Sequence, residues 1–293
     1  MPDIIAIPTA TVGGHLNEET INSFVPSPEV SASAAIEIDL KDVAFATPYA
    51  IILLSLIIKS RRKCNAPVRV ILPASKDVLN YLERMSFFDT VEIIGVTYDE
   101  DPNALKSNKR NPSSNVIEIT RIEKEEDVSK IVNDLAEKLI QSHGCDRQAI
   151  DKFSEIMIET FQNATQHSNP QTGIADAIAA VQVYKSEFHF VIADSGIGIK
   201  ASLKSNPRFS SLELTDAQAI AEVLKHGYSR IDVPGRGGGL ERVQEIAQKM
   251  SGEILIRSNS GLVRISGQST TTEDVNSVTG TQICIKCPTS LFS

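Results

Sequence analysis

A basic block is missing from this 293-residue chain, whose 29 Lys and Arg against 37 Asp and Glu leave a formal charge of −8. That balance disfavours nucleic acid or an anionic membrane as main partner, since both attract protein through negative phosphate. A long apolar run is also missing. The one extended stretch, AIILLSLII from Ala50 to Ile58, falls well short of the about 20 residues that span a bilayer, and reads as a buried helix. The N-terminus MPDIIAIPTA has no basic stretch ahead of an apolar core, so it does not read as a signal peptide. A cytoplasmic protein with no membrane partner is the expectation. Cysteine is sparse. Of Cys64, Cys145, Cys284 and Cys287, only the last two form a C-x-x-C, and no second pair completes a zinc site. They fall in TQICIKCP, a strand by pattern. Residues three apart on a strand point to opposite faces, a poor geometry for a shared metal. Internal repeats and low-complexity tracts are absent too.

What is there suffices for two domains, with 41% hydrophobic residues over the full length. The turn-rich segment DEDPNALKSNKRNPSSN, Asp99 to Asn115, marks the boundary. We place one domain at residues 1–110 and the other at 116–293. In the first, Ala35–Leu40, Val68–Leu72 and Val91–Val96 read as strands. Pro48–Lys63 reads as a helix, with Pro early and Arg61, Arg62 and Lys63 in its last turn. A second helix, capped by Ser75, carries Val78, Leu79, Tyr81, Leu82 and Met85. The alternation implies a layered α/β domain. The first 34 residues add a hairpin, with Gly13-Gly14 as its turn.

The wording IEIDLKDVAFATPYA, then VRVILPASKDVLNYLERMSFFDTVEI, resembles the STAS domain, the sulfate-transporter and anti-sigma-antagonist fold. Phosphorylatable members carry Asp-Ser-Ser-Gly after the first of these strands. Here Thr47-Pro48-Tyr49-Ala50 stand instead, without the acceptor serine. The resemblance therefore implies a docking role rather than a phosphoswitch.

After the boundary, Val116–Ile122 reads as a strand, Lys124–Ser142 as a helix and Asp146–His167 as another. On that last helix Phe153, Met157, Phe161 and Ala164 form an apolar stripe, while Glu155, Glu159, Asn163 and His167 form a second, polar one. Such a stripe is a solvated face or a site wall, and the helix alone does not decide. Next comes FHFVIADSGIGIKASL, an apolar strand from Phe188 ending at Asp194. The glycines Gly196 and Gly198 would let another body approach the backbone, although an ordinary turn also uses Asp and Gly. In PGRGGGLERVQEIAQKMSG, Gly235, Gly237, Gly238 and Gly239 feed a helix starting near Leu240. Helix N-termini hold anions, phosphate above all; a floppy loop is the plain alternative. The spacing is neither a Walker loop nor a dinucleotide fingerprint. Gly252–Ser258, then Leu262–Ile265 beyond a turn at Gly261, and, after a polar loop, Thr279–Ile285 read as antiparallel strands.

In this order ETFQN, DSGIGI, GRGGGL and TGTQICIK resemble the boxes of the GHKL superfamily of gyrase, heat-shock chaperone, histidine kinase and mismatch-repair ATPases. AIAEVLKHGYSR is similar to the stretch leading into that family's ATP lid, about Lys225 to Gly239. The resemblance covers about residues 125–288 and implies a Bergerat-type α/β sandwich, a mixed sheet with helices on one face, that binds ATP and Mg²⁺. By resemblance, Asn163 holds Mg²⁺, with phosphates completing its shell. Asp194 reads the adenine amino group, beside Gly196 and Ile199; Gly198 leaves room for the base and Thr281 helps hold it. Gly235, Gly237, Gly238, Gly239 and Leu240 form the phosphate loop and helix start. Glu159 stands where gyrase-like ATPases and anti-sigma serine kinases carry a general base. Glu155 reads as a solvated neighbour; His167, Lys200, Arg230 and Arg236 stay outside the core set. No domain carrying the distal lysine of gyrase is expected after the last strand, and the resemblance then implies either slow hydrolysis or a partner that completes the site. The resemblance thus implies an ATP-driven ATPase or kinase-like switch, docking a protein partner, STAS-like or a second copy. A serine kinase acting in trans and a non-hydrolysing ATP-gated module are the alternatives.

Overall fold

The computed structural model describes residues 5–7, 14–92, 96–101, 116–122, 124, 126, 128–168, 176–228 and 239–292. The chain divides into two units, Met1–Ile119 with Asn276–Val278 and Thr120–Val275 with Thr279–Ser293.

The first unit carries strands β1 (Ile5–Ile7), β2 (His15–Leu16), β3 (Ile36–Asp39), β4 (Phe45–Ala46), β5 (Val68–Ile71) and β6 (Thr97–Tyr98), with helices α1 (Pro48–Lys63), α2 (Lys76–Arg84) and α3 (Phe87–Glu92). A parallel sheet runs in the order β1-β3-β5-β6, and β2 pairs with β4 separately, also in parallel. Helix α1 starts where the sequence places it, because Thr47 caps it: the Thr47 hydroxyl accepts the Ala50 N–H at 3.4 Å. Every residue from Pro48 to Ile58 is buried, as an apolar helix surface on all sides requires. At about 1.5–3 kcal/mol per buried aliphatic side chain, α1 is a principal anchor of this unit. Ser75 likewise caps α2, accepting the Val78 N–H at 3.4 Å.

Two expectations fail here. Val91 and Glu92 belong to α3, and the strand after it is Thr97–Tyr98. Phe87 and Val91, four apart, are both fully buried, so the helical period outweighs the β-propensity of Val91; Ile93 and Ile94 of the expected strand lie outside the described residues. Nor do the first strands form a hairpin: β1 and β2 pair with β3 and β4, distant in sequence. Gly14, at φ +75°, gives its carbonyl to the Ala44 N–H at 2.7 Å. Gly13 and most of the turn-rich boundary segment lie outside the described residues.

The second unit contains the end of β7 (Val116–Ile122), which begins in the first unit, then α4 (Val128–His143), α5 (Arg147–Ser168), β8 (Ala177–Val183), β9 (Glu187–Asp194), α6 (Gly198–Lys204), α7 (Asp216–His226), α8 (Gly239–Lys249), β10 (Glu253–Ser266) and β11 (Ser269–Pro288), the last except for Asn276–Val278. Its sheet runs β10-β11-β9-β8-β7, with β9 antiparallel to both β8 and β11. This is the α/β sandwich that the second resemblance implies. Phe153 of α5 is its aromatic hub, with ring centroids 4.8 Å from Phe188 and 5.7 Å from Phe292. Phe161, farther along the helix, meets Phe190 at 5.7 Å. Helix α5 therefore advances along β9 in the strand's own direction, toward Asp194.

The last strands differ from the expectation. Glu253–Ser266 is a single strand with no turn at Gly261. A Cβ on Gly261 would lie 2.3 Å from the Ala217 nitrogen, so this glycine serves the close approach of α7. The expected polar loop after it is the outer half of the 20-residue β11. Two residues, Gly267 and Gln268, make the turn, with Gly267 at φ +58°, and polar side chains on a solvated hairpin leave the strand intact. Cys284 and Cys287 pair with Val191 and Phe188, residues on opposite faces of β9. Both are buried, and burial pushes the Cys287 thiol up to about 12. Among the described residues no helix is long and apolar enough to cross a membrane.

Candidate functional site

The polar stripe of α5 meets the start of α8. Glu159 and Asn163, four residues apart, share one side of α5. A Cβ on Gly239 would lie 3.0 Å from both Glu159 Oε2 and Asn163 Nδ2. A side chain on the first residue of α8 would therefore crowd the ends of both side chains. The first N–H groups of α8 lack intrahelical acceptors by geometry. Asn163 Nδ2 is buried and has no hydrogen-bond partner among the described residues. A buried amide N–H left unpaired costs about 1–3 kcal/mol; it is a donor, so any cation here would be held by the carboxamide oxygen instead. Glu159 keeps 30% of its side chain exposed, so its carboxylate is within reach of solvent and solute.

Helix α8 also supplies a cation. Arg242 donates from Nη2 to Glu155 Oε2 at 2.7 Å, and its Nη1 lies 3.9 Å from Glu159 Oε1. Glu155 is therefore ion-paired rather than merely solvated. The pairing holds the Arg242 guanidinium above its ordinary value, through the Glu155 hydrogen bond first.

Asp194 ends β9 with 4% exposure. Burial raises its carboxyl to about 7, against the opposing backbone N–H groups of Gly196 and Thr281, and the Asp176 charge adds to the rise. The Gly196 N–H donates to Asp194 Oδ1 at 2.8 Å. Beside it, Ser195 donates its hydroxyl to Asp176. The loop that follows is tied to the last two strands. Ile199 donates its N–H to Ser258 Oγ at 2.8 Å, and Ser258 Oγ lies 3.3 Å from Thr281 Oγ1. Asn259 closes the junction, donating to the Ile197 carbonyl and accepting the Gly280 N–H, both at 3.2 Å. It adopts φ +50°, a left-handed state that Asn tolerates. Gly198, at φ +79°, has no room for a Cβ, which would lie 2.3 Å from Asn259 Nδ2.

The structure thus gathers Glu159, Asn163 and Gly239 in one cluster. Asp194, Gly196, Gly198, Ile199 and Thr281 form another. Leu240 turns into the core, at 7% exposure. Gly235, Gly237, Gly238, Arg230 and Arg236 lie outside the described residues, as does the His167 side chain. Sequence reading missed Arg242, Asp176, Ser258, Asn259 and Gly280. Only Gly280, a glycine preceding the strand residue Thr281, carried a local signal. Among the described residues no three His, Cys, Asp or Glu side chains cluster as a metal site. Among the described residues, the Asn163 carboxamide stands beside the Glu159 carboxylate at the start of α8. An amide oxygen beside a helix start suits Mg²⁺, an ion that retains waters and phosphate oxygens.

Residues 148–290 match the family model described as "Histidine kinase-, DNA gyrase B-, and HSP90-like ATPase". Among solved structures, a chain of the SiaB-SiaC complex from Pseudomonas aeruginosa is similar at 10% identity and a TM-score of 0.34, over 65% of this chain and 99% of that one. No curated protein matches significantly.

Proposed function

We propose that the second unit binds Mg-ATP and turns it over slowly, as a nucleotide-driven switch whose first unit docks a protein partner. The observation that carries this reading is the Glu159–Asn163–Gly239 cluster: a carboxylate and a carboxamide facing a helix start where a Cβ would crowd both. The match of residues 148–290 to an ATPase family supports it. In this reading α8 holds the phosphates with its free N–H groups. Asn163 holds Mg²⁺, which would supply charge neutralisation across the phosphates. Glu159 accepts the proton of the attacking water as the bond from the γ-phosphorus to ADP breaks. Asp194 accepts from the adenine amino group and Thr281 flanks the base, while Gly198 serves the close packing of the Asn259 and Ser258 side chains rather than an opening for the base. The first unit, STAS-like by its wording, acts through its surface. Its Thr47 hydroxyl is buried and engaged as the cap of α1, which supports docking over phosphorylation.

Radiolabelled ATP with Mg²⁺, with and without cell extract, tests the reading on the full chain. Free phosphate from the purified protein is expected. Label on an extract protein would make the chain a kinase. Calorimetric binding without release or transfer would make it an ATP-gated binding module, and no binding would overturn the nucleotide reading.

A further inference from the structure

We propose that Arg242 is the positioning residue for Glu159, a clamp from α8 that aims the carboxylate; this rests on Glu159 acting as the base. Three observations carry it. First, Glu155 and Glu159 stand one turn apart on the same side of α5, where like charges repel. Left alone, the two carboxylates would swing away from each other into solvent. Second, the Arg242 guanidinium bridges that pair. One nitrogen is hydrogen-bonded to Glu155 at 2.7 Å and the other stands 3.9 Å from Glu159. A planar fork anchored on one carboxylate presents its second nitrogen in a fixed direction, which a flexible ammonium does not do. Third, the two oxygens of Glu159 are divided. Oε1 faces Arg242, while Oε2 is the oxygen beside Gly239. The arginine thus engages the oxygen away from the helix start and leaves the other turned toward it. Glu155 is the anchor that holds the arginine in place. Arg242 and Gly239 belong to the same first turn of α8, so the element that would carry phosphate also carries the clamp. Their spacing is then set together.

Arg242 transfers no proton and touches no reacting atom, so its loss is read through Glu159. In the full chain, Arg242→Gln should lower kcat about 10- to 100-fold, the scale on which misplacement by an ångström acts, with ATP affinity changed less than about threefold. Glu155→Gln should lower kcat in the same direction by unanchoring the arginine. Arg242→Lys should recover only part of the loss, because it restores charge without the fork. In a Glu159→Gln background, Arg242→Gln should cost nothing further, as non-additivity requires of two groups acting as one.

An unchanged kcat in Arg242→Gln would overturn the clamp while leaving Glu159 as the base. A loss confined to ATP affinity would make Arg242 a phosphate ligand instead, and a full additive loss on Glu159→Gln would give it a separate role. Wild-type protein that binds ATP without turnover would remove the base reading and the clamp together. If Arg242→Gln does not fold, Glu155→Gln and Arg242→Lys carry the same comparison.

Discussion

Asp194 is a carboxylate held where charge is costly, and its titration separates stability from binding. Its native pKa of about 7 stands above the ordinary 3.8. Between those values the native state keeps a proton that the unfolded chain has lost. Stability from this group is therefore full below pH 3.8, falls as pH rises toward about 7, and is flat above it. At about 1.4 kcal/mol per unit, the span is on the order of 4 kcal/mol. Asp194→Asn should remove the slope and leave the variant more stable than wild type at pH 8, by chemical denaturation. The same substitution should cripple ATP binding, because an amide presents a donor to the adenine amino donor. Wild-type affinity for ATP should rise with pH up to about 7, close to tenfold per unit below it. Calorimetry at several pH values checks this, and a flat profile would remove the ionised carboxylate from the site. Glu159 behaves differently. Glu159→Ala should keep ATP binding and lose about 10²–10⁴-fold in turnover; phosphate release at wild-type rate would dismiss it as the base.

Helix α8 begins at one crowded glycine and strand β11 carries another along its length, and the crowding differs in kind. Beside Gly239 stand the ends of two side chains, which can shift; beside Gly280, at φ +98°, a Cβ would lie 2.0 Å from the Asp194 carbonyl oxygen, which is backbone. Gly239→Ala should accordingly change stability by under about 1 kcal/mol yet lower ATP affinity and turnover, by pushing Asn163 and Glu159 aside. Gly280→Ala should cost on the order of 3 kcal/mol in denaturation, through left-handed strain and overpacking together. Equal stability losses in the two variants would contradict this picture of the site. At this level the sequence was a partial guide. Helix α1 and the cap at Ser75 are legible because capping and burial are local. The run at Val91 is not, since its neighbours decide whether a β-prone segment coils.

For the docking role proposed for the first unit, Thr47 is the test. It is the nearest hydroxyl to the place where a phosphorylatable STAS domain carries serine, and it is 5% exposed. Intact-mass analysis after incubation with Mg-ATP should show no added phosphate on this protein. A phosphate mapped to Thr47 would mean that the start of α1 opens, and would replace docking by a phosphoswitch in the first unit.

Spacing along the chain already told which side chains share a helix side, because a helix repeats every 3.6 residues whatever surrounds it. Glu159 and Asn163 were legible as a pair for that reason, and Asp194 as a strand end. Spacing could not tell what those side chains would face. Arg242 reaches Glu155 across 87 residues, and Asn259 reaches Ile197 across 62. Such contacts depend on how closely two elements approach, which every side chain packed between them sets jointly. The same holds for Gly261: read alone it is a turn, and only the approach of α7 makes it the place where a strand needs no side chain.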